Sequence, residues 1–384
     1  MDVYLDHAAS TTPRPAAREA FDRWFDPDAV EGNPSSTHRH GRALREAVEI
    51  AREQMADALA ASPHEIVFTS GGTEADNLAI KGLYWAGREA GRRHVVTTGV
   101  EHPAVLEAAL WLAEHEGAEL TLVPPRDDGT VDTDRVLDAV GPQTSVVSVM
   151  AANNELGAIN DVAAIGEVLR HRGIPFHTDA VQAYATLDLD LRELQVDALS
   201  LSAHKFGGPT GVGVAYLRRG VPVTPLLHGG GQDRGVRSGT MAAALSAACG
   251  AAAVEAAKER AELRERLRSL GDRLATGLTG LDGVRRNGPD DPDRRLASHV
   301  HVSVDGIDGE ALTFALDQAG VFVSTGAACG AGANKPSHVL EAAGVTGDAA
   351  VRCSLGWNST TADVDRALEV FADTIPRLRN GVRP

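Results

Sequence analysis

Over the first three-quarters of the chain, short apolar runs alternate with longer stretches in which apolar residues recur at helical spacing. The runs at 66–69, 94–98, 120–123, 145–150, 174–177, 198–202 and 212–217 are predicted strands. Short β-rich runs separated by helical patterns predict a largely parallel sheet covered on both faces. Val162, Ile165 and Leu169 form one such helical stripe, and Gly173 is placed to end it. An alanine-rich stretch at 241–257 predicts a buried helix, running into a more charged one where Leu263, Leu267, Leu270 and Leu274 share a face. The turn-rich Asn287-Gly288-Pro289-Asp290-Asp291-Pro292 breaks the pattern. Beyond it, Val300, Val302 and Val304 alternate as a half-buried strand, followed by a helix at 309–319 and a strand at 321–324. A cysteine-bearing loop, a strand near 350–355 and a last helix from Thr361 complete the chain. The expected architecture is α/β. A large domain at 13–257 carries a mostly parallel seven-stranded sheet, and residues 1–12 join 258–384 in a smaller α+β domain.

Length and charge narrow the picture. The 384 residues suffice for one large and one smaller domain with a substantial core. A net charge of −16 disfavours non-specific binding to nucleic acid or to an acidic membrane surface. Met1 leads at once into Val3-Tyr4-Leu5, and no apolar run approaches the ~20 residues that cross a bilayer. Cys249, Cys329 and Cys353 are too few and too scattered for a disulfide framework or a thiolate metal cage. A cytoplasmic protein without a metal centre is expected.

Several constellations carry candidate chemistry. Ser202-Ala203-His204-Lys205 closes an apolar run, where desolvation can lower a lysine pKa and free the amine to form a Schiff base. Asp179 follows another apolar run, with Gln182 three residues on. An aspartate and a lysine at strand ends can hold the pyridinium nitrogen of pyridoxal phosphate and bond its aldehyde. Gly71-Gly72-Thr73, between a strand and a helix, can seat a phosphate, with Ser202 and His204 in reach. His102 can stack on a cofactor ring and shuttle protons. Cys329, amid glycines and alanines, suits a loop that presents a thiolate, whereas Cys249 and Cys353 read as buried small hydrophobes. Arg352 interrupts an apolar strand and can clamp a carboxylate at two points. Each residue has a plainer alternative: Thr73 or Asp179 as a helix cap, His102 as a structural histidine, Lys205 as a surface lysine, Arg352 in a structural ion pair.

In their order and spacing, these elements resemble the cysteine desulfurases of the class V, fold-type I pyridoxal-phosphate enzymes. The resemblance runs nearly end to end. It takes in Tyr4-Leu5-Asp6-His7-Ala8-Ala9-Ser10-Thr11-Thr12-Pro13, Gly32-Asn33-Pro34-Ser35-Ser36, the segment 69–77 and Asn153-Asn154-Glu155-Leu156-Gly157. Asp179-Ala180-Val181-Gln182, Ser202 to Lys205, Arg234-Gly235-Val236-Arg237-Ser238-Gly239-Thr240 and the Cys329 loop complete it. The resemblance implies that Lys205 is the Schiff-base lysine and that His102 stacks on the ring. Asp179 and Gln182 would contact the pyridine nitrogen and the phenolic oxygen. Gly72, Thr73, Ser202 and His204 would bind phosphate, with Thr240 supplied by the partner subunit of a homodimer. Asn154 and Arg352 would hold the carboxylate of L-cysteine, and Cys329 would form a persulfide. Thr210 stands where many relatives have lysine, and small residues surround Cys329 where many have serine or threonine.

The implied reaction converts L-cysteine to L-alanine and passes sulfur to an acceptor. Iron–sulfur assembly, thiolated tRNA and phosphorothioated DNA are possible destinations, and the negative charge favours a protein acceptor over direct nucleic-acid contact. The alternatives are a selenocysteine lyase, another class V aminotransferase-like enzyme, or a non-catalytic sulfur-relay scaffold. Selenocysteine turnover that survives Cys329→Ala separates the first, and a protein that stays colourless with pyridoxal phosphate the last.

Overall fold

A computed structural model describes residues 2–26, 28–325 and 337–381. Its strands are β1 (Val3–Tyr4), β2 (Ile66–Thr69), β3 (His94–Thr98), β4 (Glu119–Val123), β5 (Thr144–Ser148) and β6 (Phe176–Asp179). They continue with β7 (Ala198–Ser202), β8 (Gly213–Leu217), β9 (Val284–Asn287), β10 (His299–Val304), β11 (Val321–Phe322) and β12 (Ala349–Ser354). Seven of them form one sheet in the order β2-β8-β7-β6-β5-β3-β4. The five from β7 to β4 run parallel, while β8 is antiparallel to both β7 and β2. Every residue of β2, β3 and β5 to β8 is buried. This is why those strands read as continuous apolar runs rather than alternating ones. The expected α/β architecture with a mostly parallel seven-stranded sheet is the one observed.

Helices cover the sheet as the patterning predicts. Val162–Arg172 ends at Gly173, whose φ of 66° is the left-handed conformation glycine adopts without a Cβ clash. The two helical stretches beyond 241 are one continuous helix, Ala243–Thr279, because nothing between them breaks helical propensity. Its first half, through Ala256, packs into the core of the seven-stranded sheet. From Leu263 onward it packs into a second core with Val300, Val302, Val304, Val351 and Phe371.

That second core lies on an antiparallel sheet of order β12-β10-β9, beside the parallel pair β1-β11. Val3 and Leu5 are buried in it, each apolar side chain of that size contributing roughly 1.5–3 kcal/mol. One expectation needs correcting. β10 is buried along its whole length, not half-buried. Its alternate face carries His299, His301 and Ser303, buried against protein: His301 Nδ1 and Ser303 Oγ both meet Asn287 Nδ2, at 2.9 and 2.8 Å, and His299 Nδ1 meets Ser298 Oγ at 2.9 Å, while the two Nε2 atoms have no partner among the described residues. Polar alternation therefore marks a hydrogen-bonded face, which need not be a wet one. Strand bounds also move. The strand expected at 145–150 spans Thr144–Ser148, and that at 321–324 stops at Phe322. The one expected at 174–177 starts later and extends through Asp179, whose carbonyl accepts Ala151 N–H at 2.8 Å. No helix among the described residues is long and apolar enough to cross a membrane.

Candidate active site

The carboxyl ends of parallel strands are where an open α/β sheet leaves a crevice. Here β3, β5, β6 and β7 deliver Glu101-His102, Met150 to Asn154, Asp179 and Ser202 to Lys205 to one edge. Residues from each of these segments line a cavity of about 290 Å³. Its walls include Gly72, Thr73, His102, Asn154, Asp179, Gln182, Ser202, His204, Lys205 and Arg352. Residues spread over 280 positions of sequence thus converge on one site, and ten of the twelve singled out above are in it. Thr240 is exposed and does not line the cavity. Cys329 lies outside the described residues.

At one end, β2 passes into the turn at Gly71, and the helix Gly72–Glu89 begins at Gly72 itself. Gly71 is its N-cap, with no side-chain cap bond, so Thr73 is not the cap. A Cβ on Gly72 would lie 2.9 Å from Val181 Cγ2 and 3.4 Å from Ser202 Cβ. Glycine is therefore what lets this helix start sit against β7, with backbone N–H groups and the positive end of the helix dipole facing the cavity. Arg237 braces the turn from outside by pairing with Glu74 at 2.9 Å, while Glu74 accepts Ser70 N–H at 2.8 Å.

The floor is acidic. Asp179 is 4 % exposed, and its Oδ1 accepts Val181 N–H at 2.8 Å. Burial raises its pKa, against the pull of His102, that N–H and Lys205. Glu101, fully buried, accepts from the Thr98 hydroxyl at 2.8 Å and from Met150 N–H at 2.9 Å, and burial pushes it up to about 8. His102 caps the helix Pro103–Glu116, its Nδ1 accepting Ala104 N–H at 3.1 Å. Burial lowers its pKa, so the ring is neutral with its proton on Nε2. It is thus both a capping residue and a cavity wall. His204 is held down to about 4 by burial and by Lys205.

Lys205 ends a tight turn, Ala203–Lys205, directly after β7. Its Nζ donates to the carbonyls of Ala8 and Ala9, the latter at 2.9 Å, and Gln182 Nε2 also donates to Ala8 at 2.9 Å. Through Ala8 and Ala9, the segment 5–14 therefore closes one side of the cavity. Buried Arg14 anchors it, bonding Phe206 O at 3.1 Å and pairing with Glu259 at 2.6 Å. Across the cavity stands Arg352, 2 % exposed on β12. It donates to Asp6 Oδ1 at 2.7 Å and to Asn154 O at 2.9 Å. Its Nε and Asn154 Oδ1 are buried without a partner among the described residues. The guanidinium is thus in a structural ion pair and still has capacity to bind.

Pyridoxal phosphate fits this arrangement. A buried carboxylate awaits a cationic nitrogen, a glycine turn at a helix start awaits a dianion, and an amine lies between them. Asp76, Glu101, Asp6 and the Ala8 and Ala9 carbonyls belong to the site without being among the residues expected there. Asp76 could have been found: with Ala79, Ile80 and Leu83 it falls at i, i+3, i+4 and i+7 on a buried stripe. The role of Asp6 and the two carbonyls depends on a contact some 200–350 residues away, which no local pattern reports. Cys249 and Cys353 are buried, their thiols pushed up to about 12, as inert cysteines are.

Comparison with known proteins agrees with this geometry. The aminotransferase class-V family model matches residues 3–367. An IscS-like cysteine desulfurase of Mycobacterium tuberculosis is 48% identical over 388 residues, covering 98% of this chain and 97% of that protein. The cysteine desulfurase IscS of Methanosarcina thermophila is 42% identical, covering 98% and 93%. Among solved structures, a NifS-like protein superposes with a TM-score of 0.91 at 35% identity, over 98% of this chain and 100% of that one. SspA in complex with cysteine superposes at 0.79 and 33% identity, over 92% and 98%. The chain belongs to the class-V aminotransferase family of pyridoxal-phosphate-dependent enzymes.

Proposed function

We propose that this enzyme is a cysteine desulfurase, which takes sulfur from L-cysteine onto Cys329 and releases L-alanine. What carries the reading is the single cavity in which Asp179, Lys205, the Gly72 turn and Arg352 meet. The relatives' names and the cysteine bound to SspA support the choice of substrate.

Gly72, Thr73, Ser202 and His204 would hold the phosphate, Asp179 the ring nitrogen, Gln182 the phenolic oxygen and His102 the ring face. Thr240 would complete the phosphate site from the partner subunit of a homodimer. When bound, pyridoxal phosphate supplies an electron sink for negative charge at the substrate's α-carbon. Arg352 and Asn154 hold the substrate carboxylate, Arg352 through donors beyond those given to Asp6. Lys205, kept beside the cavity by Ala8 and Ala9, takes the α-proton. The Cys329 thiolate attacks the substrate sulfur. The S–S bond forms as the C–S bond breaks with its electron pair left on the β-carbon; a proton delivered to the β-carbon and the α-proton handed back by Lys205 give alanine, the transferred sulfur keeping its own proton. His102, neutral near pH 7, can take the proton of the Cys329 thiol. We place the boundary between a large cofactor-binding domain, 13–257, and a smaller one, 258–384 with 1–12, where the long helix changes cores. A cytoplasmic setting and a protein sulfur acceptor complete the reading.

The test is direct. Purified protein supplied with pyridoxal phosphate, L-cysteine and a thiol reductant should be yellow and release alanine and sulfide in equal amounts. Cys329→Ala should abolish both products while staying yellow. Full cysteine turnover by that variant overturns the assignment of the nucleophile, and failure to bind pyridoxal phosphate overturns the enzyme.

A further inference from the structure

Beneath the cavity lies a second carboxyl that none of the roles above uses. Asp76, at the start of the second turn of Gly72–Glu89, is 1 % exposed and lines the cavity. One of its oxygens, one of Asp179 and a ring nitrogen of His102 all lie within 4.8 Å of one another. Its Oδ1 is buried without a hydrogen-bond partner among the described residues. We propose that Asp76 and Asp179 form a two-carboxyl floor holding one proton, with Asp76 the protonated positioning residue and Asp179 the charged member.

The assignment follows from what each carboxyl faces. Two carboxylates this close in a desolvated site cannot both ionise. Asp179 has an N–H donor and Lys205 stands close to it; both favour its charged form. Asp76 has only the Ser200 hydroxyl in its favour, and both Asp179 and Glu101 act against its ionisation. His177, on β6, approaches Asp76 Oδ1 at 3.6 Å, but the ring is buried and held neutral, its pKa down to about 3. His177 sits in a directed chain, with Ser148 Oγ 2.9 Å from Nδ1 and Ser200 Oγ 2.9 Å from Nε2. With the Ser200 hydroxyl donating to Asp76, the His177 proton must sit on Nε2 and go to Ser200, which leaves Ser148 to donate to Nδ1. Burial and Asp179 push the Asp76 carboxyl well above the usual carboxylate range. The floor therefore presents one negative charge, matched to one cationic ring nitrogen. A second charge appears only when alkaline pH removes the proton from Asp76.

The inference rests on the pyridoxal-phosphate reading for its role, but its test does not depend on that alone. In infrared spectra near pH 7, wild type minus Asp76→Asn should show the carbonyl stretch of a protonated carboxylic acid, with or without cofactor. A difference spectrum featureless in that region overturns the proposal even if cofactor binding is intact. In the holoenzyme, the visible band should show an alkaline transition that Asp76→Asn lacks. That variant should bind pyridoxal phosphate within about threefold of wild type at pH 7, because asparagine matches a neutral acid. Weakening beyond about tenfold, or an alkaline transition unchanged in the variant, overturns the proposal. Should Asp76→Asn fail to fold, Ser200→Ala removes the one donor that favours ionised Asp76. The transition must then move to higher pH, and an unmoved one overturns the proposal.

Discussion

The floor and the Arg352 wall of the cavity handle buried charge in opposite ways. On the floor, Asp76, Asp179 and Glu101 crowd together, and burial raises the pKa of all three. On the wall, Arg352 is as deeply buried but already has Asp6 at 2.7 Å and a backbone carbonyl at 2.9 Å. The wall is compensated by the chain itself, so it can be rigid before substrate arrives. The floor's own donors only partly offset its burial, and protons, or a cation brought from outside, supply the rest. Isolated buried carboxylates cost far more than paired ones, so the floor is where a cofactor gains most from binding. The wall, already neutralised, is suited to orienting a substrate that must also leave.

Four experiments sharpen that contrast. The largest effect is expected at the amine between floor and wall. Lys205→Ala should lose the visible band of the bound cofactor and lower turnover by about a thousandfold or more, read by absorbance and sulfide release. Arg352→Lys comes next. It keeps the charge but removes the fork, and KM for L-cysteine should rise roughly 50-fold with a smaller change in kcat. An equal fall in kcat at unchanged KM would put Arg352 outside substrate binding. Gly72→Ala should weaken cofactor binding about 20-fold, since the new Cβ would meet Val181 Cγ2 at 2.9 Å; titration with pyridoxal phosphate reads it.

The smallest step is at Glu101. Its folded pKa, about 8, lies above the 4.5 of an unpaired glutamate. The native chain therefore keeps a proton that the unfolded chain releases, and this group's contribution to stability declines as pH climbs from 4.5 towards 8. Glu101→Gln has no such proton. Between pH 6 and 7 its stability relative to wild type should improve by about 1.4 kcal/mol at most, measured by urea unfolding at both pH values. A parallel pair of profiles would mean that Glu101 is ionised in the native state.

Much of this was legible along the chain. Three of the seven central strands, those at 66–69, 94–98 and 198–202, have the bounds their apolar runs predict, because a strand buried on both faces has little latitude in composition. Gly173 ends its helix because only glycine takes that backbone turn without strain. Other features were misread for a physical reason. The alternation in β10 is the same whether its polar face meets water or Asn287, and only packing tells the two apart.

By itself the sequence determined the layered α/β plan, the residues with cofactor chemistry and the resemblance that unites them. These depend on side-chain period, turn stereochemistry and the order of short motifs, all of which are local or linear. Tertiary structure alone decided that Asp6 pairs with Arg352, that Ala8 and Ala9 receive Lys205, and that Asp76 lies under Asp179. Those contacts join residues roughly 100 to 350 positions apart, and burial then sets their charge states. Desolvation is a property of the folded surroundings, so the protonation of the floor could be read only once the sheet had closed over it.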